Sequence, residues 1–365
     1  MRRGRGEVAL GLALGAVADR LLGDPARGHP VALFGKAAAA LERAVWKDSR
    51  AVGAAYAGAL VAVPTVAVGA RRRRRRQRLW RCGGLVGGAG RRVVTRPLVT
   101  AAVTWAALGG RSLEREAAAL ARLVEAEELD GARARLPALV GRDPTGLPAD
   151  ELCRAAVESV AENTADAVVA PLLWGAVARS AGVVVHRAAN TLDAMVGHHS
   201  RRYERFGWAA ARLDDVLGWP AARFGALLGA ALAPLAGGDA LTAWRTLRRD
   251  GAAHPSPNAG RLEAAFAGAL GVRLGGTNRY PSHVEHRPFL GGGRAPTPAD
   301  VYRAARLSRA VGVASAVLAV AWAARPPSGL ATLNGPGAQP FLYRPLGAIL
   351  AIWAAKAPSA ARSPR

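Results

Sequence analysis

Cys82 and Cys153 are the only cysteines in 365 residues. They stand too far apart for a metal-ligand pair, so neither a zinc site nor a disulfide framework is indicated. No Gly-x-x-x-x-Gly-Lys-Ser/Thr loop occurs, no Gly-x-Gly-x-x-Gly opens a helix after a strand, and no Gly-x-Ser-x-Gly elbow is present. The familiar nucleotide-binding and hydrolase frames are therefore unsupported. There is no internal repeat at solenoid periods. Acidic residues are scarce as well, 26 against 50 Lys and Arg, for a formal net charge of +24. A soluble chain with that excess would bind nucleic acid. Here the basic runs bracket apolar stretches and do not interleave with aromatics on a compact module, so no nucleic-acid partner is expected.

What the chain does contain is apolar surface, with 51% hydrophobic residues. Six runs are candidate membrane spans: 8–22, 51–69, 93–108, 168–185, 219–235 and 309–324. The sequence thus predicts an all-α, polytopic integral membrane protein with polar loops between spans, in the cell (inner, cytoplasmic) membrane. Residues 1–324 are expected to form one membrane-embedded domain and 325–365 a Pro/Gly-rich C-terminal extension. The first run follows Arg2, Arg3 and Arg5 like a signal peptide, but reads as an uncleaved helix because the chain continues directly into the turn Gly23-Asp24-Pro25. Run 51–69 is about the twenty residues needed to cross a bilayer. Arg71 to Arg76 follow it and mark a cytoplasmic flank. If 93–108 also crossed, the chain after Arg111 would lie on the far side; interrupted by Arg96 and Pro97, this run is read as re-entrant or interfacial.

Polar residues inside such a background need a reason. Glu158, Glu162 and Asp166 fall at i, i+4 and i+8, and His186, Asn190 and Asp193 at i, i+4 and i+7, so on helices each set forms one stripe. A solvated helix face is the plainer account of the first stripe, and a histidine and amide satisfied by backbone that of the second. The almost wholly apolar stretch 168–185 between them argues otherwise, because a carboxylate in a low-dielectric setting costs several kcal/mol unless paired or bound to a cation. Asn163 with Asp166 and Asn190 with Asp193 repeat an Asn-x-x-Asp element. Oxygen ligands of this kind suit Mg²⁺ carried in by a phosphate-bearing substrate. Asp214 and Asp215 add two more carboxylates. Downstream, Ser256-Pro257-Asn258-Ala259-Gly260 is either a substrate-gripping loop or a rigid turn capping the next helix.

Motifs across about Leu10 to Ala323 occur in a recognisable order: Asp19-Arg20-Leu21-Leu22-Gly23-Asp24-Pro25 with His29-Pro30-Val31; Gly110-Arg111-Ser112-Leu113; Gly141-Arg142-Asp143; Glu158-Ser159-Val160-Ala161-Glu162-Asn163-Thr164; Asn190-Thr191-Leu192-Asp193-Ala194-Met195-Val196-Gly197; Arg212-Leu213-Asp214-Asp215; Ser256-Pro257-Asn258-Ala259-Gly260; and Leu274-Gly275-Gly276. In these the chain resembles the CobD/CbiB cobalamin biosynthesis proteins, adenosylcobinamide-phosphate synthases of bacterial inner membranes. It departs from them at Asp166-Ala167, where Asp-Gly is common, at His198-His199, where Tyr-Lys is common, and at Tyr280-Pro281.

The resemblance implies an acid–amine (C–N) ligase that joins the carboxylate of adenosylcobyric acid to the amine of aminopropanol phosphate with ATP consumed. Its substrates would be a corrinoid and an amino alcohol phosphate, its surroundings membrane lipid, and its partners other membrane enzymes of the corrinoid pathway. In that chemistry Glu158, Glu162 and Asp166 are assigned to Mg²⁺-ATP, with Asp193, Asp214 or Asp215 as further metal ligand or base. Arg142, Asn163, Asn190, Arg212, Ser256, Asn258, Gly260 and Asn278 are assigned to phosphates or corrin amides. Two rivals remain at this level: an intramembrane Mg²⁺-dependent prenyl- or phospho-alcohol transferase, which would favour denser Asp-x-x-Asp repeats, and a non-enzymatic scaffold or transporter subunit.

Overall fold

A computed structural model describes residues 2–25, 28–81, 88–198, 200–280 and 283–325, with side chains for 5–25, 28–68, 96–198, 200–280 and 284–325. The side chains of Arg71 to Arg76, His199, and residues 326–365 of the expected extension lie outside what is described. The chain is mostly helical: α1 (Arg2–Leu22), α2 (Pro30–Val45), α3 (Arg50–Arg81), α4 (Gly88–Ala107), α5 (Gly110–Glu125), α6 (Leu129–Arg135), α7 (Ala149–Thr164), α8 (Ala170–Leu192), α9 (Trp208–Ala231), α10 (Ala240–Asp250), α11 (Ala259–Leu270) and α12 (Pro298–Ala324). The expectation of an all-α chain needs one correction. Strands β1 (Leu274–Tyr280) and β2 (His283–Leu290) form an antiparallel hairpin. Its sequence, opening Leu-Gly-Gly and containing Asn278, reads as loop because two glycines obscure the strand alternation.

Among the described residues, three helical stretches are long and apolar enough to cross a membrane: Arg50–Val68, Ala149–Gly197 and Pro298–Ala324. These cover candidate runs 51–69, 168–185 and 309–324; most of runs 8–22, 93–108 and 219–235 is helical in α1, α4 and α9. Ala149–Gly197 is not one straight rod. Asn190 Nδ2 donates to Asp166 Oδ2 at 3.2 Å, although 24 residues of straight helix would separate them by about 36 Å. Arg179 explains the difference. Its φ of 62° and ψ of −154° turn the backbone out of the helix, a conformation costly for a residue with a Cβ. Beyond it the chain folds back, so Val183 Cγ2 comes within 3.1 Å of where a Cβ on Gly175 would stand. Run 168–185 is therefore a helical hairpin, whose arms of about a dozen residues reach about 18 Å. Run 93–108, read as re-entrant or interfacial, is continuous helix through Pro97 as far as Ala107.

Small residues set how the apolar helices approach. Arg96 reaches Glu7 at 3.3 Å and Trp105 Nε1 donates to Gly23 O at 3.0 Å, so α1 and α4 run parallel. A Cβ on Gly11 would lie 2.5 Å from Thr100 Cβ, and one on Gly15 2.6 Å from Thr104 Cβ. This is a small-x-x-x-small seam that lets backbones close. At the far end of α1, Glu114 of α5 accepts from Arg20 at 2.6 and 3.0 Å and from Arg309 of α12 at 3.0 and 2.7 Å, tying three helices together. The largest core cluster lies among α5, α7, α9, α10, α11 and α12, around Leu120, Leu152, Leu262, Phe266 and Leu307.

The Gly15 seam yields a test. Gly15→Ala should lower stability by about 1–3 kcal/mol through overpacking. Gly58→Ala, on a helix position with open space, should be neutral or raise stability by up to about 1 kcal/mol. Thermal unfolding of the detergent-solubilised variants measures both, and equal effects would contradict the seam.

Candidate functional site

The hairpin gathers what the sequence scatters. On its first arm stand Glu162 and Asp166, and on its second Arg187, Asn190 and Asp193; α9 brings Asp214 and Asp215 alongside. The arms widen into π-helical turns at Ala165–Val169 and Asp193–Gly197. Such turns recur at functional sites because they re-aim side chains, and each here holds one of the acidic residues. Asn190 sits at the centre, donating to Asp166 and accepting from Arg187 Nη1 at 3.3 Å. Asp166 feels Glu162 and Asp193, and Asp193 feels Asp215 and Glu162. Asp214 Oδ1 is buried without a partner. Burial, and then the carboxylates of Asp166 and Asp193, push Asp214 well above the ordinary carboxylate range. Glu162 is solvent-exposed, unlike Glu158.

Beneath this acidic cleft lies a dry charged layer. Glu158 is 2% exposed, paired on one oxygen with Arg142 and on the other with Arg154 Nη1 at 3.0 Å and the Gly275 amide at 2.7 Å. Neither oxygen is left for a cation. The irregular strand register at Leu274/Gly276, with φ of +84° at Gly275 and +97° at Gly276, aims that amide inward, the work a bulge does. Arg154 also holds Asn278 Oδ1 at 3.0 Å, while Asn278 Nδ2 and Arg142 Nη1 are buried without partners.

The remaining assignments separate. Asn163 Nδ2 donates to Ser159 O and Oγ on its own helix. Arg212 makes a surface pair with Asp215 at 3.3 Å. Asn258 gives its amide to the protein, donating to Asp215 O at 2.9 Å and accepting from Arg223 at 3.2 Å. It makes no side-chain cap for α11; Ser256 Oγ accepts from the amides of Asn258 and Ala259 instead. Gly260 is required because a Cβ there would overlap His254 Cβ. His186 is fully buried with neither ring nitrogen bonded.

Arg187, Arg154, His254 and Glu263 were not singled out from sequence. Arg187 adjoins His186 at the end of an apolar run, and Glu263 sits between Leu262 and Ala264-Ala265-Phe266-Ala267, so both share the signal that marks Glu158, a charge in an apolar setting. His254 Nδ1 accepts from the Ser256 amide at 3.0 Å, which leaves its Nε2 facing Glu263 Oε1 at 3.9 Å. Both Glu263 oxygens lack a partner. Burial and then the neighbouring Glu158 and Glu162 push Glu263 well above its usual range.

As to ligands, no three His, Cys, Asp or Glu side chains among the described residues stand close enough to hold a metal ion. The cleft offers hard oxygen donors only, at carboxylates and the Asn190 amide. That donor set fits Mg²⁺ arriving with a polyphosphate, which takes one or two protein carboxylates and fills its other positions with phosphate and water.

His254 gives a pH prediction. Burial, with Arg287 nearby, pushes it from 6.5 down to about 4. The unfolded chain thus takes up this proton at higher pH than the native one, and stability present above 6.5 is lost as pH falls toward about 4. Wild type should lose about 3 kcal/mol more than His254→Gln across that window, measured by denaturant unfolding at each pH; parallel curves would contradict the buried neutral imidazole.

The model of the CobD/Cbib protein family matches residues 12–308. The chain is 50% identical over 315 residues to the cobalamin biosynthesis protein CobD of Mycobacterium tuberculosis, covering 86% of this chain and 95% of that one. It is 39% identical over 309 residues to the protein of the same name in Chromobacterium violaceum, covering 82% and 91%. It is 40% identical over 292 residues to that of Geobacter metallireducens, covering 78% and 87%. No solved structure matches. With the family model spanning most of its length and a relative at half identity, this chain belongs to the CobD/Cbib family.

Proposed function

We propose that this protein acts in cobalamin biosynthesis as a multi-pass membrane enzyme. It would ligate an amino alcohol phosphate, such as aminopropanol phosphate, to the carboxylate of adenosylcobyric acid at the expense of ATP. The observation that carries the reading is the acidic cleft, which exists only because the hairpin reverses at Arg179. A carboxylate and an amine do not condense at neutral pH without activation. The corrinoid carboxylate oxygen would attack the γ-phosphorus of ATP, releasing ADP and leaving an acyl phosphate. The ammonium would first give one proton to a base, and the amine nitrogen would then attack the acyl carbon and expel inorganic phosphate, the second nitrogen proton leaving with the phosphate as the amide forms.

Each group in the cleft has a task in that sequence. Glu162 and Asp166, with Asp193 nearby, would hold Mg²⁺, which would neutralise polyphosphate charge. Arg187, anchored by Asn190, places a cation against the phosphates. Asp214, with an unpartnered buried oxygen, offers the acceptor for the ammonium proton. Glu158 is assigned differently: with both oxygens engaged, it fixes Arg142 and Arg154 beneath the cleft and pins the β hairpin over it.

The division between Glu162 and Glu158 is testable. Glu162→Gln should abolish turnover, read as ADP and amide formation, with stability within about 0.5 kcal/mol of wild type. Glu158→Gln should destabilise by about 3–5 kcal/mol, because two buried arginines lose their counter-charge. Wild-type turnover by Glu162→Gln would retire the metal assignment. ATP use also requires the cleft end to face the cytosol, so Glu125→Cys and Arg201→Cys should react with thiol reagents from that side; labelling of both only from the opposite side would rule out ATP at this cleft.

A further inference from the structure

Away from the cleft, α1 and α12 leave between them a groove of about 560 Å³. Its walls are small and apolar, Ala13, Ala16 and Val17 on one side and Val313, Ala316 and Val317 on the other. Val17, Val313 and Val317 are each more than half exposed. At one end the groove meets Arg20 and Arg309, which share Glu114. There it adjoins a second cavity of about 260 Å³, lined by Arg111, Arg115, Arg122 and Arg309 with Glu114. Arg111, Arg115 and Arg122 fall at i, i+4 and i+11 on α5, one stripe opposite the buried Leu113, Ala117, Leu120 and Val124. None of the three has a carboxylate partner among the described residues, and Arg111 Nε is buried without any hydrogen bond.

We propose that this groove binds an anionic phospholipid, with the phosphate on the α5 arginines and Arg309 and an acyl chain lying between α1 and α12. Two complementarities select that occupant. From Arg309 to Ala321, at the other end of the lining, α12 rises about 18 Å, close to the roughly 15 Å hydrocarbon depth of one leaflet. The polar end carries five arginines against Glu114 and Asp19. A neutral lipid would leave that charge unanswered, and a soluble anion would leave the apolar walls uncovered. Basic pockets beside membrane helices hold anionic headgroups by this combination. The inference rests on the membrane placement proposed above and is independent of the ligation chemistry.

The test uses the full chain in nanodiscs of phosphatidylcholine alone or with phosphatidylglycerol, read by native mass spectrometry and thermal unfolding. Phosphatidylglycerol should be retained on the order of tenfold or more over phosphatidylcholine and should raise the melting temperature. Arg115→Gln combined with Arg122→Gln should remove the preference while phosphatidylcholine retention is unchanged. Val317→Trp should fill the groove and reduce retention of both lipids. Equal retention of the two lipids by wild type would overturn the proposal without any variant. So would inorganic phosphate stabilising as well as phosphatidylglycerol, or a chain ending at Arg325 binding more lipid than the full chain, which would show the C-terminal segment to be the occupant. Failure to enter nanodiscs at all would instead overturn the membrane placement itself.

Discussion

The site depends on one backbone reversal. At Arg179 a residue with a side chain adopts positive φ in the middle of an apolar helix, and everything chemical follows from it. Without the reversal Asp166 and Asn190 would be separated by about 36 Å; with it they share a hydrogen bond of 3.2 Å. The cost of such a conformation, of order 1–3 kcal/mol, is carried by the packing of the two arms on each other and on α1, where Leu12 is fully buried beside Gly175.

The reversal concentrates negative charge, and the surroundings are arranged to bear it. Where a carboxylate is sealed from water it is saturated with donors, as Glu158 is by Arg142, Arg154 and Gly275 and Asp300 is by Arg294, Arg303 and Thr297. In the cleft the opposite holds. There Asp193 and Asp214 face other carboxylates and Asp214 Oδ1 has no donor, an arrangement a structural ion-pair network would avoid and a cation-binding site requires. Glu263 is one exception, sealed and unpartnered against His254, its carboxyl pushed up by burial and its acidic neighbours; Asp19, buried with Oδ1 unpartnered, is another.

Much of this was legible in the sequence because it depends on local spacing. The helical periods placed Glu158, Glu162 and Asp166 on one stripe and Asn190 and Asp193 on another, and the motif order identified the family. What spacing cannot show is chain reversal without a breaker. Arg179 is flanked by Ala178 and Ser180, and the glycine that lets the arms close, Gly182, where a Cβ would stand 2.4 Å from Trp174 O, comes three residues later, so 168–185 reads as an unbroken span while Pro97, which a helix can absorb, makes 93–108 look broken. Burial was equally hidden: Glu158 and Glu162, four residues apart on one face, differ because β1 folds over the first and leaves the second open. Asn258 looked like a ligand contact or a cap, and distant partners on α9 take its amide instead.

The hairpin itself can be measured. In the full chain with Cys82→Ser and Cys153→Ala, the pair Asp166→Cys and Asn190→Cys should be joined intramolecularly by a short bis-thiol reagent in native membranes, giving a cross-linked peptide that contains both positions. A helix that ran straight through Arg179 would hold the two thiols about 36 Å apart, and absence of the cross-link while each single cysteine labels normally would contradict the assembled cleft.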